Sequence, residues 1–303
     1  MTAAVSRALP DSARGWAEGL VPQAVVDVTA VGGSITDTKW MLHLAEGDPL
    51  VIRWSDPEVW GAAGREHVRR ESLACRLLAG SRLPVPQLLG SDPDGVTAGG
   101  PANLLTWRPG RPRLDRLSSA AITVWARLAV DVHAQPVPVA YRPPTFSFRG
   151  PIEPEVPAWA RSPRLWRKAI DVWAAGPPPT PHGLLHRDFH LGNTLWEGDL
   201  VTGLIDWAET SWGPPNLDVA HACSDFAMLH TIADAETFRA AYLQQGGRLD
   251  PDPDAARFWA VSDILGFLPD PAHILAAVGS SRPDLTPDSV RHGLEALLAL
   301  TLA

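Results

Sequence analysis

The pattern of apolar residues changes about a third of the way along the chain, and this change limits the folds that the sequence can adopt. The first part contains three short runs rich in β-branched and aromatic residues, AVVDVTAV, TKWMLHL and PLVIRW, separated by turn-like segments. A helical pattern follows at GREHVRRESLACRLLAG, and then two more strand-like runs, LPVPQLLG and ANLLTW. The remainder is mainly helical. The sequence therefore predicts an α+β fold with a small antiparallel β lobe, which carries one main helix, and a larger, mostly helical lobe.

The boundary between the predicted lobes lies after Trp107, so that residues 1–107 form the first lobe and 108–303 the second. A short helix with Asp11 or Ser12 as its cap is expected to precede the first strand. Helical patterns in the second lobe occur at SSAAITVWARLAVDVHA, RLWRKAIDVWAAG, PNLDVAHACSDFAMLH, DAETFRAAYLQQGG, DAARFWAVSDILGFL and PDSVRHGLEALLALTLA.

Composition excludes several classes of protein. The 303 residues include 45% hydrophobic and 20% charged residues, which is typical of a globular chain, and the net charge of −8 argues against nucleic-acid binding. No window approaches 18 consecutive apolar residues, so no membrane span is expected. Cys75 and Cys223 are far apart and form no CxxC pair, which argues against a disulfide framework or a cysteine zinc site. We expect a cytoplasmic protein.

The segment LLHRDFHLGNTLWEGDLVTGLIDWA, residues 184–208, interrupts the helical lobe with strand-like and polar residues. Its second half predicts a hairpin with a tight turn at Gly198 and Asp199. A hairpin brings its two ends together, so Asn193 and Asp206 are expected side by side. Oxygen donors of this kind suit Mg²⁺, which retains water and binds a few protein oxygens together with substrate phosphates.

HRDFHLGN matches the H-R-D-x-x-x-x-N catalytic-loop pattern of protein kinases. In that mechanism Asp188 accepts the proton of the acceptor hydroxyl, while Asn193 and the later Asp206 hold magnesium. The structural alternative is that both aspartates cap turns, and His186 is expected to support the loop by hydrogen bonding. The competing chemistry is a zinc hydrolase using His186, Asp188 and His190, but no further ligand follows at a familiar spacing.

At these residues the chain resembles the aminoglycoside phosphotransferase and choline kinase family, whose members are small-molecule relatives of protein kinases. LLHRDFHLGNTLW, VTGLIDWAETSWGPPNLDVA and RRESLACRLLAGSRLPVPQLLG carry the resemblance, which extends over residues 28–224. It implies a bilobal protein-kinase-like fold and a role for Asp218 in supporting the catalytic loop. It also implies a nucleotide-covering turn with Gly33, Ser34 and Thr36, and a hinge at which Leu105 and Trp107 meet adenine.

Two positions depart from the family pattern. The strand expected to present a phosphate-binding lysine carries Arg53, which keeps the positive charge and offers a bidentate fork to phosphate. Thr36 stands where the family often has Asn. By the resemblance, the ion-pair partner of Arg53 is Glu71, beside the apolar stripe of the following helix; Glu66 is the second candidate.

The resemblance implies an ATP-dependent phosphotransferase that uses Mg²⁺, with GTP as a possible donor, and that transfers phosphate to a hydroxyl of a small molecule. An aminoglycoside or other antibiotic, an amino sugar, a choline-like compound or a sugar metabolite are all compatible acceptors, and antibiotic resistance is one role. Candidate acceptor contacts in the second lobe are Glu209, Asp225 and Asp263. A nucleotide-binding pseudokinase that regulates a partner is the alternative, supported by Arg53.

Overall fold

The computed structural model describes residues 8–31, 38–148 and 153–303. The chain divides into two compact units. The first unit spans Met1–Pro109 together with Gly203–Glu209, and the second spans Gly110–Thr202 and Thr210–Ala303. Asp206 and Glu209 therefore belong to the first unit although they follow it by about a hundred residues in sequence.

The first unit is built on a five-stranded antiparallel sheet with the strand order β1-β2-β3-β5-β4. Its strands are β1 Val25–Val31, β2 Thr38–Leu44, β3 Leu50–Trp54, β4 Leu88–Asp92 and β5 Ala102–Thr106, and its helices are α1 Asp11–Glu18 and α2 Pro57–Leu77. The strand-like runs in the sequence predict β2 and β5 closely. β4 begins later than LPVPQLLG suggests, because two prolines, which donate no backbone hydrogen bond, precede it.

The register of the sheet separates an apolar face from a polar row. Trp40 lies opposite Ile52, and Ile52 lies opposite Leu104, in a buried cluster that also includes Ala13 and Ala17 of α1. One residue further along, Lys39 lies opposite Arg53, and Arg53 lies opposite Asn103. Because successive side chains on a strand point to opposite faces, these three polar residues share the other face of the sheet.

Helix α2 begins earlier than its predicted start at Gly64. Asp56 caps it by accepting a hydrogen bond from the Glu58 backbone N–H, and Pro57 occupies the first turn. Gly61 breaks the helical conformation with φ of 46° and ψ of −120°, which interrupts the periodic pattern. The cap predicted for α1 is also corrected: Pro10 holds the cap position, and the Ser12 hydroxyl donates to the Ala98 carbonyl instead.

The second unit contains most of the helices. They are α3 Ser119–His133, α4 Pro163–Ala174, α5 Asn216–Leu229, α6 Ile232–Gln244, α7 Pro253–Leu265, α8 Leu275–Val278 and α9 Pro287–Leu302. Short strands accompany them: β6 Arg111–Pro112, β7 Gly183–Leu185, β8 Thr194–Glu197, β9 Leu200–Leu204, which crosses into the first unit, and β10 Ser211–Gly213. β8 and β9 are neighbours in a sheet of order β6-β8-β9, and Gly198 takes a positive φ of 59° at their turn. The predicted α+β fold and hairpin are therefore confirmed.

The core of the second unit is aromatic. Trp125 of α3 stacks on Phe189 with ring centroids 5.1 Å apart, and Phe226 and Phe238 pack against the same ring. Cys75 in the first unit and Cys223 in the second are buried free thiols. None of the helices in the described part of the chain combines the length and the apolar character that a membrane span requires.

Candidate functional site

A buried ion pair links β3 to α2 in the first unit. The Arg53 Nε lies 3.0 Å from Glu71 Oε2, and both side chains are almost fully buried. Asn103, the sheet neighbour of Arg53, donates from Nδ2 to the same Glu71 oxygen at 2.9 Å. Burial raises the pKa of Glu71, and the Arg53 guanidinium and the Asn103 amide oppose that rise. The predicted second choice, Glu66, instead pairs with Arg70 one helical turn away.

Asp206 completes this cluster. Its Oδ1 accepts a hydrogen bond from the Arg53 guanidinium, and its Oδ2 accepts one from Lys39 Nζ at 2.6 Å. Its backbone φ is 65°, a left-handed conformation that few residues other than glycine adopt and in which Asp and Asn are enriched. The next residue, Trp207, is fully buried and donates from Nε1 to the Leu204 carbonyl. The loop is therefore anchored on either side of the carboxylate.

The catalytic-loop motif lies in the second unit, between β7 and β8. Phe189 is fully buried against Trp125, so the centre of the motif is fixed in the aromatic core. Trp125 also donates from Nε1 to the hydroxyl of Thr194, at the start of β8. The two sides of the loop are therefore held by the same helix, α3.

Asp218, in the first turn of α5, binds the backbone of the motif. Its two oxygens accept the backbone N–H groups of His186 and Arg187, each at 2.8 Å. Arg187 has a positive φ of 75°, so this pair of hydrogen bonds stabilises an uncommon conformation in the loop. Burial acts to raise the pKa of Asp218, but its hydrogen bond with His133 and the loop donors lower it overall. His186 is itself buried with its ring edge against Phe189.

Asp188 lies between an amide and two imidazoles. Asn193 Nδ2 donates to Asp188 Oδ2 at 2.8 Å, His190 Nε2 lies 3.4 Å from the same oxygen, and His221 Nε2 lies 3.4 Å from Oδ1. The Gly192 backbone N–H donates to His190 Nδ1, which places the proton of that ring on Nε2, facing Asp188. Partial burial acts to raise the pKa of Asp188, but the two imidazoles outweigh it and hold the pKa well below its usual value.

His221 connects Asp188 to a second carboxylate. Its Nδ1 lies 3.0 Å from Asp263 Oδ1, and Asp263, which is 2% exposed, also accepts from the Ser224 hydroxyl and from Arg187. Burial lowers the pKa of His221, but Asp263 and Asp188 more than compensate and raise it to about 10. Both ring nitrogens face carboxylates, which favours the imidazolium form.

The three carboxylates predicted to contact an acceptor are bound to protein groups. Asp225 accepts the backbone N–H of Leu191 at 3.0 Å, and Asp263 holds His221 as described. Glu209 lies in the first unit, where it pairs with His67 at 3.2 Å. These contacts give Asp225 and Asp263 a structural role beside the catalytic loop, and acceptor binding by the three residues stays a prediction.

The predicted nucleotide contacts fall in two places. Leu105 is buried in β5, opposite Val51, and Trp107 follows that strand within the first unit. Gly33, Ser34 and Thr36 lie outside the described residues. The side-by-side placement of Asn193 and Asp206 stays a prediction.

The donor groups fit a hard cation. Asp206 presents a carboxylate that already attracts two cationic side chains, and Asn193 uses its amide N–H₂ on Asp188, so its carbonyl oxygen is the group that would bind a cation. Among the residues that the structure describes, no three His, Cys, Asp or Glu side chains are grouped to hold a metal ion. The zinc hypothesis therefore gains no support: His190 and His221 flank Asp188 as hydrogen-bonding partners instead.

Sequence reasoning missed three residues of these clusters in their observed roles: Lys39, His190 and His221. The sequence pattern suggested His190 only as a zinc ligand. Two features could have indicated Lys39: it is one of only two lysines in the sequence, and it lies in β2, the strand that pairs with the strand of Arg53.

A family model described as the phosphotransferase enzyme family matches residues 27–259. No curated protein sequence matches the chain at a significant level. Solved structures do match. One is a thermostable mutant of the aminoglycoside phosphotransferase APH(4)-Ia in ternary complex with ADP and hygromycin B. It matches with a TM-score of 0.58 and 16% sequence identity, and the match covers 91% of this chain and 94% of that chain.

Two other solved structures extend the comparison. The GDP and kanamycin complex of APH(2")-IIIa matches with TM-score 0.61 and 15% identity over 91% of this chain and 93% of that chain. The macrolide 2'-phosphotransferase MphH from Brachybacterium faecium matches with a TM-score of 0.53 and 19% identity, over 91% of this chain and 93% of that chain. At these identities the likeness is one of fold, and it confirms the predicted protein-kinase-like architecture.

Proposed function

The chain belongs to the phosphotransferase enzyme family, and from that premise we propose that it transfers the γ-phosphate of ATP to a hydroxyl group of a small molecule. The observation that carries the proposal is the cluster in which Arg53 joins Glu71 to Asp206, because an ion pair of this kind positions phosphate-binding groups in kinases. The HRD-type loop, with Asp188 bonded to Asn193, supports it from the second unit.

Asp188 is proposed as the residue that orients the acceptor hydroxyl and accepts its proton. Its low pKa keeps it ionised at neutral pH, so it is ready to accept a hydrogen bond from the hydroxyl. A strongly acidic carboxyl is also a weak base, which favours positioning over early proton removal. Asn193, His190 and His221 hold its two oxygens from different directions, and Asp218 and Asp225 hold the backbone of the loop.

Asp206 and Asn193 are the residues proposed to hold Mg²⁺. When bound, the ion neutralises charge on the phosphate oxygens of the nucleotide. ATP is the proposed donor, and GTP belongs in the same test because related structures contain ADP in one case and GDP in another. Leu105 and Trp107 are proposed to meet the base.

The acceptor is proposed as a hydroxyl compound within the range of aminoglycosides, other antibiotics, amino sugars, choline-like compounds and sugars. Structures of the same fold contain hygromycin B or kanamycin, and another belongs to a macrolide 2'-phosphotransferase, so antibiotics come first in the screen. We propose a cytoplasmic location, where ATP is available.

Calorimetric titration of Mg²⁺–ATP into the wild type and into Asp206→Asn tests the proposal. Asn is suited to the left-handed backbone at this position, so the substitution removes charge without straining the loop. We expect wild-type binding and a loss of about tenfold or more in the variant, the scale of a charge-assisted contact. Asp199→Asn, at the exposed hairpin turn, is the matched control.

Three results separate the candidate functions. Binding of ATP with ADP production in the presence of an acceptor supports the kinase. Binding without turnover across the acceptor panel supports the pseudokinase. No binding of ATP or GTP by the wild type contradicts the proposal.

A further inference from the structure

The polar row of the first sheet, formed by Lys39, Arg53 and Asn103, contains two cationic side chains. The two differ in how tightly neighbouring groups hold them. Arg53 is 1% exposed, and its guanidinium lies between the Glu71 and Asp206 carboxylates. Two carboxylates on one guanidinium already balance its charge and fix its position. Arg53 is therefore suited to hold Asp206 and α2 in place, and poorly suited to follow a ligand.

Lys39 occupies the neighbouring position on β2. Its side chain is 15% exposed, and its ammonium contacts Asp206 Oδ2 at 2.6 Å. A lysine carries three donors on a flexible four-carbon chain, so the ammonium can move from a carboxylate to a nearby phosphate while its backbone stays in the strand. A divalent cation on Asp206 would compete with the ammonium for the carboxylate and so favour that move.

We propose that Lys39 is the mobile cation that binds the phosphates of the nucleotide, while Arg53 acts as a fixed link between Glu71 and Asp206. This inference rests on the proposed function, because it assumes that the first unit binds a nucleotide. It assigns to β2 the phosphate contact that the family resemblance assigns to β3.

The first test is chemical protection of the unmodified protein. The sequence contains only Lys39 and Lys168, and Lys168 is exposed and donates to the Leu302 carbonyl. The protein is acetylated with acetic anhydride, with and without Mg²⁺ and a non-hydrolysable ATP analogue, then denatured and fully acetylated with the deuterated reagent. Trypsin then cleaves only at arginine, which places Lys39 in the peptide 15–53 and Lys168 in 168–187.

We expect the ATP analogue to lower the rate of Lys39 acetylation about tenfold, the scale expected of an ammonium held by phosphate. Lys168 should react at the same rate in both conditions, and adenosine should protect neither lysine. Equal reactivity of Lys39 with and without the bound analogue overturns the inference.

The second test uses nucleotide affinity, for which the two possible roles of Lys39 predict different results. If Lys39 binds phosphate, Lys39→Met weakens Mg²⁺–ATP binding about tenfold or more, leaves adenosine binding unchanged, and is partly rescued by Lys39→Arg. If Lys39 only neutralises Asp206, Lys39→Met removes a competitor for that carboxylate, so Mg²⁺–ATP binding is unchanged or tighter.

Lys168→Met is the control, and thermal unfolding of each variant confirms that it is folded. Nucleotide binding by the wild type distinguishes failure of the proposed function from failure of the role proposed for Lys39. If the wild type binds no nucleotide, the proposed function is wrong. If the wild type and Lys39→Met bind ATP with equal affinity, only the role proposed for Lys39 is wrong.

Discussion

Asp206 and Asp188 are both surrounded by positively charged or proton-donating side chains, but the two environments are built differently. Asp206 is held by the ammonium of Lys39 and the guanidinium of Arg53. Asp188 is held by the imidazoles of His190 and His221 and by the amide of Asn193. The first carboxylate thus has one partner that can move away, whereas the second is fixed by partners whose protonation can change.

This difference matches the separate roles proposed for the two carboxylates. The role proposed for Asp206, binding of an exchangeable cation, requires a partner that can be displaced, and Lys39 is proposed as that partner. A carboxylate that orients a hydroxyl needs a fixed direction, and three donors from the catalytic loop and α5 provide it.

The largest expected effect is that of Asp188→Asn. The substitution retains the shape of the side chain but removes the charge proposed to orient the acceptor hydroxyl and to accept its proton, so kcat should fall about a thousandfold. Nucleotide affinity should be unchanged, because Asp206 and Lys39 are intact. Steady-state kinetics and calorimetry measure the two quantities, with Asp131→Asn, an exposed partner of Arg127, as the control. A matching loss of ATP affinity would show that the two carboxylates do not act separately.

The next largest effect concerns the buried ion pair between Arg53 and Glu71. Glu71→Gln leaves the buried Arg53 with one carboxylate fewer, and we expect the free energy of unfolding to fall by about 3 kcal/mol. Glu66→Gln makes the same change on the same helix at a partly exposed pair and should cost less than about 0.5 kcal/mol. Urea unfolding measures both variants. Equal effects would mean that burial does not distinguish the two pairs.

The smallest effect is expected from a change in His221, one of the groups around Asp188. It depends on pH, because an imidazole can lose its proton. His221 has a folded pKa of about 10, above its unfolded value of about 6.5. Its stabilisation is therefore complete below the unfolded value and is lost as pH rises through the folded one. His221→Asn should reduce the free energy of unfolding by about 2 kcal/mol at pH 6, and the difference from wild type should shrink as pH approaches 10.

His43→Asn is the control for this pH series, since the His43 ring contacts the Thr29 hydroxyl and forms no ion pair with a carboxylate among the described residues. Urea unfolding of wild type and both variants from pH 6 to pH 10 gives the comparison. A His221→Asn difference that stays constant with pH would show that the imidazolium contributes nothing to holding Asp188.

The sequence was informative where a single segment determines the structure. β-branched runs predict the strands, and the apolar stripe of α2 places Glu71 on the face where the structure pairs it with Arg53. The H-R-D-x-x-x-x-N spacing likewise predicts which residues share a loop.

Contacts between distant segments were not accessible in this way. Lys39 meets Arg53 because of the register between β2 and β3, and register depends on how the sheet packs. His221 and Asp263 lie on different helices, α5 and α7, whose packing no local pattern encodes. The start of α2 was missed because Gly61 interrupts its periodicity.

The two cysteines offer a practical opportunity. Both thiols are buried, and burial raises the pKa of Cys75 and raises that of Cys223 to about 12, so neither is present as a reactive thiolate at neutral pH. A cysteine introduced on the surface would then be the one that a maleimide probe modifies. Val59→Cys on α2, 69% exposed, and Val139→Cys in the second unit, 74% exposed, would each carry a fluorophore or spin label in an otherwise native background. A doubly labelled chain would report the distance between the units as nucleotide and acceptor are added.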